Sequence, residues 1–230
     1  MVPEHSSVFN IVLHAIYDMS CTQYSPPFDT LVEAVNALKA YGVTPKSVIT
    51  PSRPLYDILF THAASRPLDL FAIACQNNLH DLAVATSSYL ISFSLSTISD
   101  DIAKQIGPIY LKRLFFMHLG RAEALKNMLL PPPYPHTPTP ACDYGQQKLL
   151  TRAWTLASAY LTWDAQAGTS QHAIYILFDS QCTVPSDLST SKIESAFTPL
   201  GDHLSCGLCR AALSQRIKVL TTQWSLVKVQ

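Results

Sequence analysis

The residues with the clearest potential for chemistry are a histidine and two cysteines near the C-terminal end of the chain. His203, Cys206 and Cys209 follow one another at three-residue intervals. At the start of a helix this spacing places all three on one face, and the helix dipole makes thiols there more acidic. Thiolates and imidazole nitrogens are preferred ligands of Zn²⁺, and Cys142 is the natural fourth. The sequence therefore predicts a structural zinc site made of Cys142, His203, Cys206 and Cys209.

Two other interpretations of these cysteines stay open. A Cys-x-x-Cys pair without a second spaced pair also fits ordinary half-buried thiols or a redox function. Neither proline nor tryptophan flanks the pair, and no βαβ pattern surrounds it, which argues against thioredoxin-like exchange. Cys21 and Cys75 each lie inside an apolar segment and are predicted to be buried small hydrophobic residues.

A proline-rich segment offers a second kind of chemistry, the binding of a protein partner. Residues 131–140 contain six prolines and are expected to leave the α-helix for polyproline II geometry. Pro131, Pro132 and Tyr134 match the Pro-Pro-x-Tyr pattern that WW-type aromatic grooves bind. A rigid spacer is the alternative, because a spacer needs only the prolines.

The sequence indicates no catalytic residue and no organic cofactor. It contains no nucleotide-binding loop, no zinc-protease motif and no serine nucleophile elbow. The histidines at 14, 62, 80 and 118 lie in or beside predicted helices, where packed or exposed positions are expected. We therefore expect a protein that is not an enzyme, with Zn²⁺ as its one candidate cofactor.

The elements that must position these residues are helices. Val8, Ile11, Val12 and Ala15 form an apolar stripe of helical period, and similar stripes recur along the chain. Proline at a first helical turn is expected after Thr50, Arg66 and Gly107, and Gly120 is expected to interrupt the helix that follows. A last helix is predicted over 204–227, with an apolar stripe at Cys209, Leu213, Ile217, Leu220 and Trp224. The predicted class is all-α and multi-helical.

Changes in composition along the chain suggest four parts. They are a first group of helices at 1–48, a longer helical region at 49–130, the proline-rich linker at 131–145 and a C-terminal helical unit at 146–230. Residues 168–185 do not continue the helical pattern and are interpreted as an inserted loop. Translation of a retained intron would be one origin of such an insert.

Composition limits the classes of partner. Sixteen basic and sixteen acidic residues give a net charge of zero, which argues against a dedicated nucleic-acid or anionic-membrane binder. No uninterrupted apolar run reaches the roughly 18 residues of a transmembrane helix, and no secretory signal is evident. A cytoplasmic or nuclear location is expected. Charged residues make up only 14% of the chain, which predicts apolar surface covered by a large core, by a protein partner or by a piece of the domain absent from this chain.

Several segments resemble a known family. The segments VFNIVLHAIY at 8–17 and TLVEAVNALKAYGV at 30–43 resemble the later helices of a BTB/POZ domain. The segments GPIYLKRLFF at 107–116 and GDHLSCGLC at 201–209 are similar to BTB proteins of basidiomycete fungi. Residues 67–90 look like the BACK-type helical extension that often follows this domain. The hairpin, strand and helix that open a full BTB domain have no counterpart before Val8, so the chain resembles a truncated relative. The resemblance implies a protein-interaction module or adaptor.

Overall fold

The structure is a computed structural model of the chain and describes residues 4–164 and 188–227. Over these ranges the chain forms ten α-helices joined by 3₁₀ turns and loops, without a sheet. The predicted all-α, multi-helical class is confirmed. Among the described helices, none combines the length and the apolar character needed to cross a bilayer. The insert predicted at 168–185 lies outside the described residues.

The chain divides into two compact units. The first consists of Met1–Phe93 and Thr97–Leu114, and the second of Ser94–Ser96 and Phe115–Gln230. The proline-rich segment and all four predicted zinc ligands belong to the second unit. We therefore expect the chemistry of the chain to be concentrated there.

The first unit is built from short helices, several of which begin with proline. They are α1 (Ser6–Ile16), α2 (Phe28–Ala37), α3 (Pro45–Val48), α4 (Pro54–Phe60), α5 (Pro67–Gln76) and α6 (His80–Ser87). The helix predicted after Arg66 begins at Pro67 as expected. The helix predicted after Thr50 begins only at Pro54, because a turn occupies the intervening residues.

Helix α5 lies inside the first unit. The six consecutive side chains from Leu70 to Cys75 are all buried, so the helix is covered on every side. Cys75 and Cys21 are both buried as predicted, and burial raises the pKa of the Cys75 thiol to about 12. These two thiols therefore act as small apolar side chains at neutral pH.

The long helix α7 (Asp100–Leu129) contains one break in its backbone. Gly107 has φ 77° and ψ 161°, a conformation that is essentially restricted to glycine, and Pro108 starts the helix again. The predicted interruption at Gly120 is wrong, since the helix continues through it to Leu129. Glycine lowers helix propensity by only about 1 kcal/mol, which neighbouring packing easily offsets.

Three further helices complete the second unit: α8 (Tyr144–Asp164), α9 (Thr190–Phe197) and α10 (Gly207–Ser225). The indole of Trp154 stacks on Phe197 with ring centroids 4.0 Å apart, and its Nε1–H donates to the carbonyl oxygen of Leu129 at 2.8 Å. On α10, Trp224 donates in the same way to the carbonyl oxygen of Leu188 at 2.7 Å. These bonds fix the buried tryptophans within the core.

Candidate metal centre

Four side chains of the second unit come together in a group of a kind that can hold a metal ion. The ligand atoms of His136, Cys142, Cys206 and Cys209 all lie within 4.8 Å of one another. His136 and Cys142 belong to the segment between α7 and α8, whereas Cys206 and Cys209 lie at the start of α10. The group therefore joins two distant parts of the chain.

Three of the predicted zinc ligands belong to this group, and the predicted histidine does not. The structure brings together the three predicted cysteines, Cys142, Cys206 and Cys209. The histidine of the group is His136 and not the predicted His203. The reason is the start of α10, which lies at Gly207. His203 precedes the helix in a turn, so three-residue spacing does not place it on a helical face with the cysteines.

The first turn of α10 positions two of the thiols. Cys206 is the N-cap residue, with extended backbone angles of φ −79° and ψ 123°, and Cys209 follows within the first turn. Cys209 also begins the buried apolar stripe of the helix, which continues through Leu213 and Ile217. Because this stripe packs into the core, the Cys209 side chain is buried as well.

A tight turn and a helix cap position Cys142. The backbone N–H and carbonyl groups of Thr139 and Cys142 bond reciprocally, both at 3.0 Å. The next residue, Asp143, accepts from the N–H of Gln146 at 2.8 Å, and the Gln146 side chain accepts from the N–H of Asp143 at 3.2 Å. This reciprocal pair is the capping box at the start of α8. Cys142 is thus held between two ordered turns and is buried.

The imidazole of His136 has its orientation and its proton position set by a neighbour. Its Nδ1 lies 2.7 Å from the carbonyl oxygen of Thr137. A carbonyl only accepts, so Nδ1 carries a proton, and in the neutral imidazole the lone pair is then on Nε2. That Nε2 lies 3.3 Å from the sulfur of Cys206 and 3.4 Å from that of Cys209. Metal-binding histidines characteristically use this arrangement, with the second nitrogen bonded to a carbonyl or carboxylate.

Three separations within the group are close to the edges of a tetrahedral zinc site. With Zn–S near 2.3 Å and Zn–N near 2.0–2.1 Å, tetrahedral geometry requires S···S of about 3.8 Å and S···N of about 3.6 Å. The sulfurs of Cys142 and Cys209 are 3.7 Å apart. Even the widest pair of ligand atoms lies within 4.8 Å, so a bound ion would need to draw that pair closer by only about 1 Å.

The three thiols differ in acidity for identifiable reasons. Burial raises the pKa of Cys209 to about 12, and the adjacent sulfurs add to this shift. Burial also raises the pKa of Cys142. The backbone N–H groups of Cys209 and Leu208 lower the pKa of Cys206 to about 7, against the opposing effect of burial. Without a cation, three adjacent thiolates are disfavoured, whereas a bound dication stabilises all of them.

The predicted partner-binding residues lie beside this group. Pro131 and Tyr134 are exposed and Pro132 is half-buried, while Pro133 is buried. The segment contains neither helix nor strand until Thr139, as expected for its prolines. Its conformation thus separates the pattern residues from Pro133 and His136, which are turned toward the protein.

The missed histidine has one signal in the sequence, its position six residues before Cys142, and the burial of the segment in the structure agrees with it. Burial along the segment has a period of three, with Pro133, His136 and Thr139 each less exposed than the residues that directly follow. Three residues per turn is the period of polyproline II, so His136 lies on the edge that already carries a buried proline. Its position near Cys142 points to the same conclusion.

Comparisons with protein-family models, with curated proteins and with solved structures give no match to this chain. The resemblance to BTB/POZ proteins therefore stays a prediction.

Proposed function

We propose that the second unit binds a structural Zn²⁺ ion through His136, Cys142, Cys206 and Cys209. The observation that carries the proposal is the set of separations between the ligand atoms, which fits a tetrahedron with three sulfurs and one nitrogen. Thiolates select zinc over the harder magnesium and calcium ions. Four protein ligands leave no open position for a substrate, which favours a structural role over a catalytic one.

The zinc proposal is tested by metal content and by Co²⁺ substitution in the full chain. We expect one zinc per chain, and visible absorption of tetrahedral, thiolate-bound Co²⁺ when that ion is substituted. Four ligands that together contribute about 10–16 kcal/mol imply that His136→Ala weakens metal binding by roughly 100-fold or more. His136→Cys is expected to restore four ligands and the tetrahedral spectrum.

His203→Ala is the matched control for this experiment. It removes a histidine that lies close in sequence to the cysteines but outside the group. Equal loss of metal in the His203 and His136 variants would contradict the proposed ligand set. A chain that takes up no metal, and in which Cys142 and Cys209 form a disulfide on mild oxidation, would favour the redox interpretation instead.

We also propose that the chain functions as a non-enzymatic protein-interaction module. Support comes from α8, where Leu149, Leu156 and Tyr160 are each more than half exposed. Their spacing of seven and four residues places them on one helical face. A contiguous apolar face of this kind is typical of interaction surfaces.

Affinity capture with the wild type and with Leu156→Lys tests this second function. A partner that binds through α8 should be recovered with the wild type and with the control variant, but not with Leu156→Lys. Thr155→Lys, which changes an exposed polar neighbour, is the control. Recovery of the same partners with all three proteins would refute a role for this face.

A further inference from the structure

The proline-rich segment presents one edge to solvent and the other to the protein. Pro131 and Tyr134, three residues apart, are exposed, and Tyr134 is 84% exposed. Pro133 is buried and His136 is half-buried. Burial along the segment repeats every three residues, which is the period of polyproline II, so Pro131 and Tyr134 lie along the same outer edge.

The segment is anchored at both ends by contacts that leave this outer edge open. At its start, Arg216 of α10 donates from Nε to the carbonyl oxygen of Pro131 at 2.9 Å and from its terminal nitrogen to the carbonyl oxygen of Met128. The same guanidinium lies 5.5 Å from the ring centroid of Trp154. At the other end, His136 belongs to the metal-ligand group.

An open groove of 940 Å³ adjoins the outer edge. Pro131 and Tyr134 line it together with Val219 of α10 and with Leu226, which directly follows that helix. Among the described residues that line the groove, Arg216 is the one charged side chain, and its guanidinium donates to the backbone carbonyl oxygens of Pro131 and Met128. A partner that binds Tyr134 therefore has room beside the ring and an apolar surface to contact.

We propose that Pro131, Pro132 and Tyr134 form a preformed ligand for a WW-type domain, and that the metal centre maintains its binding conformation. The second part of this proposal rests on the proposed zinc site, whereas the first part does not. Such domains bind the rings of a polyproline II ligand between aromatic side chains. In this chain Pro131, Pro132 and Tyr134 all retain accessible surface. The buried Pro133 occupies the x position of the Pro-Pro-x-Tyr pattern, where any residue is accepted.

Anchoring has a measurable consequence for affinity. A free peptide must lose conformational freedom when it binds, whereas a segment already fixed by Arg216 and by a metal-bound His136 loses less. We therefore expect the zinc-loaded full chain to bind about tenfold more tightly than a free peptide spanning 128–139. Chelation of the metal should move the affinity toward that of the peptide, because the contacts of Arg216 remain but His136 is no longer held.

The probe is a purified WW domain that binds Pro-Pro-x-Tyr peptides, titrated with the full chain while fluorescence anisotropy is recorded. Tyr134→Ala should weaken binding by about 30-fold or more, as expected for an aromatic anchor residue. Tyr144→Ala is the control, because that exposed tyrosine lies at the start of α8 and outside the pattern. The zinc content of every sample is measured in parallel.

The outcomes separate the parts of the proposal. A peptide that binds while the loaded chain does not would show that the fold hides the pattern, which would overturn the proposal. Equal affinity of the loaded and chelated chains would overturn the role of the metal. If the samples contain no zinc, the proposed metal site fails, and docking is then decided by the Tyr134 and Tyr144 variants alone.

Discussion

Removal of zinc should destabilise the second unit by an amount that follows the free zinc concentration. An ion that binds only the folded state adds RT ln(1 + [Zn²⁺]/Kd), which is about 2.7 kcal/mol at 100 times Kd and about 4.1 kcal/mol at 1,000 times Kd. The folded state is the one that assembles the site, because its ligands come from two separate segments, His136 with Cys142 and Cys206 with Cys209. The free energy of unfolding should therefore rise by about 1.4 kcal/mol for each tenfold increase in free zinc.

The tryptophans make this measurement specific to the second unit. The chain contains three, Trp154, Trp163 and Trp224, and all belong to that unit. Two of them are buried in its core, where unfolding changes their emission. For a unit of this size, a gain of about 4 kcal/mol corresponds to a rise in unfolding temperature of roughly 15 °C.

The assay is thermal unfolding followed by tryptophan fluorescence in metal buffers that set the free zinc concentration. The wild type and His203→Ala should show the same slope of stability against the logarithm of free zinc. His136→Ala should show that slope only at concentrations roughly 100-fold higher, since one of four ligands is lost. An unfolding temperature that stays constant from chelated to zinc-saturated protein would refute the structural metal site.

Four substitutions test local backbone conformation and local hydrogen bonding. Gly107→Ala should lower the free energy of unfolding by about 1–3 kcal/mol, because alanine is strained at φ 77° and ψ 161°. Gly120→Ala should raise it by about 1 kcal/mol, because alanine has the higher helix propensity. Neither added methyl group meets a heavy atom within 4 Å, so shifts of opposite sign in thermal melts followed by circular dichroism isolate the backbone effect. Gln147→Met should raise the free energy of unfolding in urea by about 1 kcal/mol, because the side-chain amide nitrogen and oxygen of Gln147 are buried without a hydrogen-bond partner among the described residues. A loss of stability would show that these two atoms do form hydrogen bonds. Trp154→Phe should cost about 1–3 kcal/mol in the same measurement, because it removes the bond to the carbonyl oxygen of Leu129; an unchanged midpoint would contradict this.

The difference between His203 and His136 shows where sequence reasoning succeeds and where it stops. The pairing of Cys206 with Cys209 was predictable, because both lie at or within the first turn of a helix whose apolar stripe is evident. The choice of histidine depended on the first residue of that helix, and helix ends are the least certain part of any such prediction. His136 required the polyproline II period to be combined with the position of Cys142.

Helix continuity shows the same limit. Gly107 and Gly120 are both glycines within apolar helical patterns, yet only Gly107 adopts a positive φ. Pro108 explains the difference, because a proline disfavours the α conformation in the residue before it. Gly120 has no such neighbour. The all-α class was accessible because the period of the apolar stripes depends on many residues rather than on one.

A metal ion bound by the four proposed ligands would cross-link segments far apart in sequence. Cys142 and Cys206 enclose α8, α9 and the residues between these helices within one closed loop. The entropy of closing a loop grows only with the logarithm of its length, so even doubling this loop would cost only about 0.6 kcal/mol. Related chains could therefore gain or lose residues between Asp164 and Leu188 at little thermodynamic cost, provided that the four ligands are retained.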